Sequence, residues 1–116
     1  MVETPSNLII FSGKLEDLNR QIAEANCLVV VDFFATWCPP CNRLGDHLPA
    51  LAAENPKTLF VKINVDEHRD LTTHFGINSI PHVKFFKADQ GSQIQELASI
   101  TGVDIQQMKS KLQQFG

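Results

Sequence analysis

The sequence has no tyrosine, a single tryptophan, three cysteines and only six glycines in 116 residues. No apolar run approaches the roughly 20 residues that a helix needs to cross a bilayer, so no membrane-spanning helix is expected. No basic block is present either: 10 Lys and Arg face 13 Asp and Glu, for a net charge of −3. That balance argues against nucleic acid and anionic membranes as main partners. Residues 1–7 (MVETPSN) include an acid and no hydrophobic stretch, so no secretory leader is expected and the cytoplasm is the expected compartment. Internal repeats and low-complexity segments are also lacking. An odd number of cysteines, with only two of them close together, does not make the disulfide framework of a small secreted domain.

What is present is enough for a core. Hydrophobic residues make up 43% of the chain, as in ordinary globular proteins, and the length fits one domain over residues 1–116. Leu8 to Phe11 reads as a short strand closed by Ser12-Gly13, and Leu15, Leu18 and Ile22 recur at helical spacing within Lys14 to Ala25. Cys27 to Ala35 (CLVVVDFFA) is apolar on both alternating faces, the pattern of a central strand covered on both sides. Asn42 to Asn55 reads as a helix with Leu44, Leu48, Leu51 and Ala52 on one face and a kink near Gly45 imposed by Pro49. Thr58 to Val65 is another strand. Asp66 is expected to cap a short helix through His74, with Gly76 just past its end in a left-handed conformation. Val83 to Lys87 and Gln93 to Ala98 flank the turn residues 88–92 and read as a hairpin. Thr101 and Asp104 have capping-box spacing ahead of a helix with Ile105, Met108, Leu112 and Phe115 as its stripe. The order β-α-β-α-β-α-β-β-α predicts an α/β fold: a central mixed sheet with helices on both faces.

Cys38 and Cys41 form a C-x-x-C between the central strand and the next helix. In open α/β sheets, sites are built in the crevice beyond the carboxyl ends of strands. Pro39 disfavours a helical Cys38, and prolines are accepted in a first turn. Cys38 is therefore expected at the N-cap, with Pro39 and Pro40 inside the start and Cys41 as the third helical residue. Such a pair lies roughly 5 to 6 Å apart, within disulfide reach. The positive end of the helix favours the Cys38 thiolate. Because Pro39 and Pro40 lack N–H groups, the Cys41 amide is the nearest first-turn donor to that sulfur.

VDFFATWCPPC, followed further on by SIPH, resembles the thioredoxin family, and the similarity covers nearly the whole chain. The resemblance implies a thioredoxin fold, a redox-active Cys38–Cys41 disulfide and a monomer that reduces protein disulfides. Asp32 breaks an otherwise apolar strand, where an unpaired carboxylate would be costly and its pKa raised. It is either a structural carboxylate or, as the resemblance implies, the general acid/base for Cys41. Lys62 is the nearby cation if the two strands are neighbours, and otherwise a surface lysine.

By the same resemblance Pro81 is a cis-proline whose flanking backbone, with Ile80, binds substrate; the alternative is a turn proline. Trp37, Pro39, Pro40 and His82 complete the expected docking surface, although Trp37 also fits a simple packing role. His82, where the family commonly has a small Thr, is either a ring that tunes the Cys38 thiolate or a solvent-facing contact. Further departures are the Pro-Pro filling, where Gly-Pro is commoner, and Asp46 in place of the usual helix proline.

Cys27 is expected to be a small buried hydrophobe, with regulatory oxidation as the alternative. His47, His68 and His74 lack metal-ligand spacing relative to the cysteines, so no metal is expected. No tightly bound cofactor is implied either. Electrons would come from NADPH through a flavoprotein thioredoxin reductase, and the acceptors would be peroxiredoxins, methionine sulfoxide reductases, ribonucleotide reductase or other protein disulfides. The competing readings are a disulfide isomerase or oxidant, and a non-catalytic interaction module on the same fold.

Overall fold

A computed structural model describes residues 4–90 and 93–116. Five strands, β1 (Leu8–Ile10), β2 (Val29–Phe34), β3 (Leu59–Asn64), β4 (His82–Ala88) and β5 (Ile94–Thr101), form one sheet in the order β1-β3-β2-β4-β5. β1, β3 and β2 run parallel, whereas β4 and β5 are antiparallel to their neighbours. The mixed sheet expected from sequence is thus observed, with β2 at its centre.

Four helices cover it: α1 (Leu15–Ala25), α2 (Pro39–Glu54), α3 (Arg69–His74) and α4 (Ile105–Phe115). Successive strand residues point to opposite faces, and β2 supplies both. Val30 joins Leu44, Leu48, Leu51, Phe60, Phe85, Met108 and Leu112 in the core under α2 and α4. Val29, Val31 and Phe33 join Leu18, Ile22, Val61, Ile63 and Leu71 in the core under α1 and α3. The two-sided burial explains why this strand reads as an unbroken apolar run.

Local chemistry sets the element ends. Gly13 has a φ of 134°, and a Cβ there would lie 2.7 Å from Asp17 Oδ2, the oxygen that accepts the Lys14 N–H at α1's start. Gly76, at φ 65°, takes the expected left-handed position after α3. α2 runs unbroken through Pro49. None of its helices is long and apolar enough to cross a membrane among the described residues.

Three sequence expectations need correction. Asp66 does not cap α3; His68 holds that position without a side-chain bond, and the Asp66 N–H is tied instead to Asn64 Oδ1 at 3.0 Å. Thr101 is the last residue of β5 rather than a cap, because Gly102 turns the chain at φ 86° and Asp104 alone caps α4, accepting the Gln107 N–H at 3.0 Å. Cys27 is half-buried rather than core. Asn26, at φ 55°, ends α1 and β2 begins only at Val29, which leaves Cys27 in the connection, lining a surface depression with Asn7, Lys57 and Thr58. Of the expected hairpin turn, residues 91 and 92 lie outside the described residues.

Candidate active site

β2 ends at Phe34, and the chain turns through Ala35, Thr36 and Trp37 into α2. Cys38 is the N-cap, in an extended conformation, and Pro39 and Pro40 occupy the first helical positions. Its Sγ accepts the Cys41 N–H at 3.2 Å, the one donor that the two prolines leave in the first turn. The two cysteines are joined as a disulfide with their Cα atoms 5.2 Å apart. Both are buried, and they pack with Ala35 against Phe34, Val65 and Ile80.

The Ile80–Pro81 bond is cis. The Ile80 carbonyl oxygen lies 4.0 Å from Cys38 Sγ, and the Pro81 carbonyl accepts the Gly102 N–H at 2.9 Å. Trp37 is 68% exposed beside this groove, and its Nε1–H donates to Asp66 Oδ2 at 2.8 Å. With Val65, Ile77 and Ile80 it lines a shallow apolar depression.

Asp32 sits on the β2 face covered by α2, in register with Lys62 on β3 and Val83 on β4. It is 2% exposed, and neither carboxylate oxygen has a hydrogen-bond partner. Burial therefore pushes its pKa from 3.8 up to about 7, with the Lys62 cation pulling in the opposite direction. Lys62 Nζ lies 4.6 Å from the centroid of the Phe34 ring. Phe34, Cys41, Asn42, Gly45, Asp46 and Lys62 line an open cleft on this side of α2.

His82 behaves differently. It alternates with Val83 and pairs with Phe33, so it stands on the sheet face opposite Asp32. Its Nδ1 lies 3.3 Å from Thr101 Oγ1, and Nε2 is buried without a partner. Burial, followed by Lys84, lowers its pKa from 6.5, while Glu96 raises it. Neither ring nitrogen bonds a cysteine sulfur.

The structure thus brings Trp37, Cys38, Cys41, Ile80 and Pro81 to one groove, and Asp32 and Lys62 to the sheet beneath α2. The Asp66 partner of Trp37 and the Gly102 tie to Pro81 escaped the sequence reading. The Asn64-x-Asp66 spacing of a side-chain-closed turn was the available signal for the first. Among the described residues, no group of three or more His, Cys, Asp or Glu side chains is placed to hold a metal.

A helix-capping cysteine disulfide-bonded to the third helical residue, beside a cis-proline and following a strand that bears a buried carboxyl group, is an arrangement that can carry thiol–disulfide exchange. The thioredoxin family model matches residues 10–114. Thioredoxin of Echinococcus granulosus is 47% identical over 60 residues, which is 52% of this chain and 56% of that protein. Thioredoxin-T of Drosophila melanogaster is 39% identical over 84 residues, 71% of this chain and 52% of that protein. The matches thus span little more than half the length of these two relatives. The structure of Trichomonas vaginalis thioredoxin superposes with a TM-score of 0.89 at 39% identity, covering 95% of this chain and 98% of that one. The chain belongs to the thioredoxin family.

Proposed function

We propose that this protein reduces protein disulfides, with Trp37-Cys38-Pro39-Pro40-Cys41 as its active site. The observation that carries the reading is the N-cap disulfide to Cys41 at the end of the strand bearing a buried carboxyl that titrates near neutrality. In the reduced protein the Cys38 thiolate attacks one sulfur of a substrate disulfide. That bond breaks, one substrate sulfur leaves as a thiolate and takes up a proton, and a Cys38–substrate mixed disulfide forms. Cys41 then gives its proton to Asp32 and its sulfur attacks Cys38 Sγ. The mixed disulfide breaks, the second substrate thiolate leaves, and two electrons have passed to the substrate.

An acid with a pKa near 7 suits this exchange, since a base poised near the working pH transfers protons most effectively. Trp37, Pro39, Pro40, Ile80 and Pro81 form the docking surface, with His82 following Pro81 at its edge. The reading adds no tightly bound cofactor. It takes electrons from NADPH through a flavoprotein thioredoxin reductase, acceptors such as peroxiredoxins, a monomeric protein and a cytoplasmic setting. The support for these last points is the family resemblance and the odd, sparse cysteine content.

The test is an NADPH-coupled assay on a protein disulfide, with thioredoxin reductase or glutathione as electron source. Reductase-dependent turnover that Cys38→Ser abolishes is expected, together with mixed disulfides that accumulate in Cys41→Ser. Turnover surviving in Cys38→Ser would overturn the assignment.

A further inference from the structure

Gly45 lies on α2 one turn beyond Cys41, inside the helix, where glycine is an unfavourable choice and a side chain would normally be kept. A Cβ built at Gly45 would meet one group only, the Lys62 ammonium nitrogen, at 3.5 Å. That ammonium also lies against the face of the Phe34 ring, on the floor of the cleft bordered by Cys41, Asn42 and Asp46. Lys62 is in turn the register partner of Asp32. The bare helix position therefore faces the cation whose charge acts on the buried carboxyl from the neighbouring strand.

We infer that Gly45 is a positioning residue for Lys62: the side chain it lacks leaves a solvated notch in which the ammonium rests, and this placement keeps the positive charge close to Asp32. The inference rests on the proposed role of Asp32 as proton acceptor for Cys41. An alanine methyl would stand at ordinary contact distance from the nitrogen. It would strip water from that side of a strongly hydrated ammonium, which then favours a position further into solvent. Asp32 would lose part of the Lys62 attraction that offsets its burial.

The charged and titratable groups around the pair are few. From α2 come Cys41 and the rim carboxylate Asp46. From β4 comes apolar Val83, and from α4 the apolar Met108 and Leu112, which reach the same core. From β1 comes apolar Ile10, the register partner of Lys62, and among the described residues Lys62 is the cation whose charge acts on Asp32.

The experiment is Gly45→Ala in the full-length protein and in a Lys62→Met background. The Asp32 carboxyl would be titrated by NMR, and release of the second product from a preformed mixed disulfide timed against pH. In the wild-type background, Gly45→Ala is expected to move the Asp32 midpoint upward and to slow release about threefold at pH 6, with no change at pH 9. In Lys62→Met, the midpoint is already raised and Gly45→Ala adds nothing. No movement in the wild-type background, or equal movement in both, overturns the inference. Because alanine favours helix, a loss of folding is not the expected confounder, and melting curves check it. Failure of Cys38–Cys41 to cycle in a dithiothreitol buffer would instead count against the disulfide-reductase reading itself, whatever Gly45→Ala does.

Discussion

Replacing Asp32 by asparagine should stabilise the oxidised protein, and by an amount that depends on pH. The carboxyl is 2% exposed, has no hydrogen-bond partner and titrates at about 7 instead of 3.8. Below pH 3.8 it is neutral in both the folded and the unfolded chain, so its ionisation contributes nothing to the folding equilibrium. As the pH rises from 3.8 to about 7, only the unfolded chain ionises, and the folded state is progressively disfavoured. Above 7 both are ionised and the disadvantage is constant. At about 1.4 kcal/mol per pH unit separating the two midpoints, it reaches about 4 kcal/mol. Asparagine has the same shape and never ionises. Asp32→Asn should therefore match the wild type in urea unfolding at pH 3.5 and exceed it by several kcal/mol at pH 8. Circular dichroism of the disulfide form is the appropriate readout, since Cys38 and Cys41 then carry no thiol to titrate, and Cys27 is common to both proteins. A stability difference that stays flat between pH 4 and 8, or a variant less stable than wild type at pH 8, would refute the account of a buried, uncompensated charge.

Two further outcomes follow from the helix start and from the strand register. Pro40→Ala restores an N–H at the second helical position, next to the one Cys41 already offers the Cys38 sulfur. A hydrogen bond to a charged group contributes about 1.5–3 kcal/mol, so iodoacetamide should alkylate Cys38 faster at pH 6 in the variant, and an unchanged rate would show that this amide misses the sulfur. His82→Thr should leave the pH profile of Cys38 alkylation unchanged above pH 6.5, because the ring engages Thr101 and its lowered pKa keeps it neutral there; a displaced profile would show that His82 does act on the thiolate.

The parts of the site legible in sequence are those fixed by local rules. Pro39 after Cys38 dictates an N-cap, and a separation of three residues dictates the Cys41 position, so the pair and its shared N–H follow from sequence alone. Asp32 announces itself because a carboxylate in CLVVVDFFA violates the strand's own pattern. The expected Asp32–Lys62 proximity needed only that β2 and β3 be neighbours, as they are. What escaped depends on how distant segments meet. Asp66 has every property of a helix cap, and only the position of Trp37 from another loop claims its carboxylate. His82 sits one residue from Pro81, close in sequence to the groove, yet strand alternation turns its ring to the other face of the sheet. Gly45 reads as a mere helix weakness until β3 is seen to bring Lys62 beneath it.

The helix that carries the site is poorly suited to being a helix on intrinsic grounds. Pro39 and Pro40 are tolerated at its start, but Gly45 and Pro49 lie inside it and together disfavour it by about 4 kcal/mol relative to alanine. Leu44, Leu48 and Leu51 are each no more than 2% exposed, and burying three such side chains contributes roughly 5–9 kcal/mol. Packing therefore outweighs propensity, and α2 exists because the core under it does. The geometry of the cysteine pair is inherited from that arrangement: the leucine face fixes the helix on Val30 and Phe60, and the fixed helix sets Cys38 at the end of β2 and Cys41 on the side of the sheet where Asp32 is buried. A helix held by its own propensity could accommodate a lost leucine by local fraying. This one cannot, so damage to the leucine face should register at the disulfide as well as in the melting temperature.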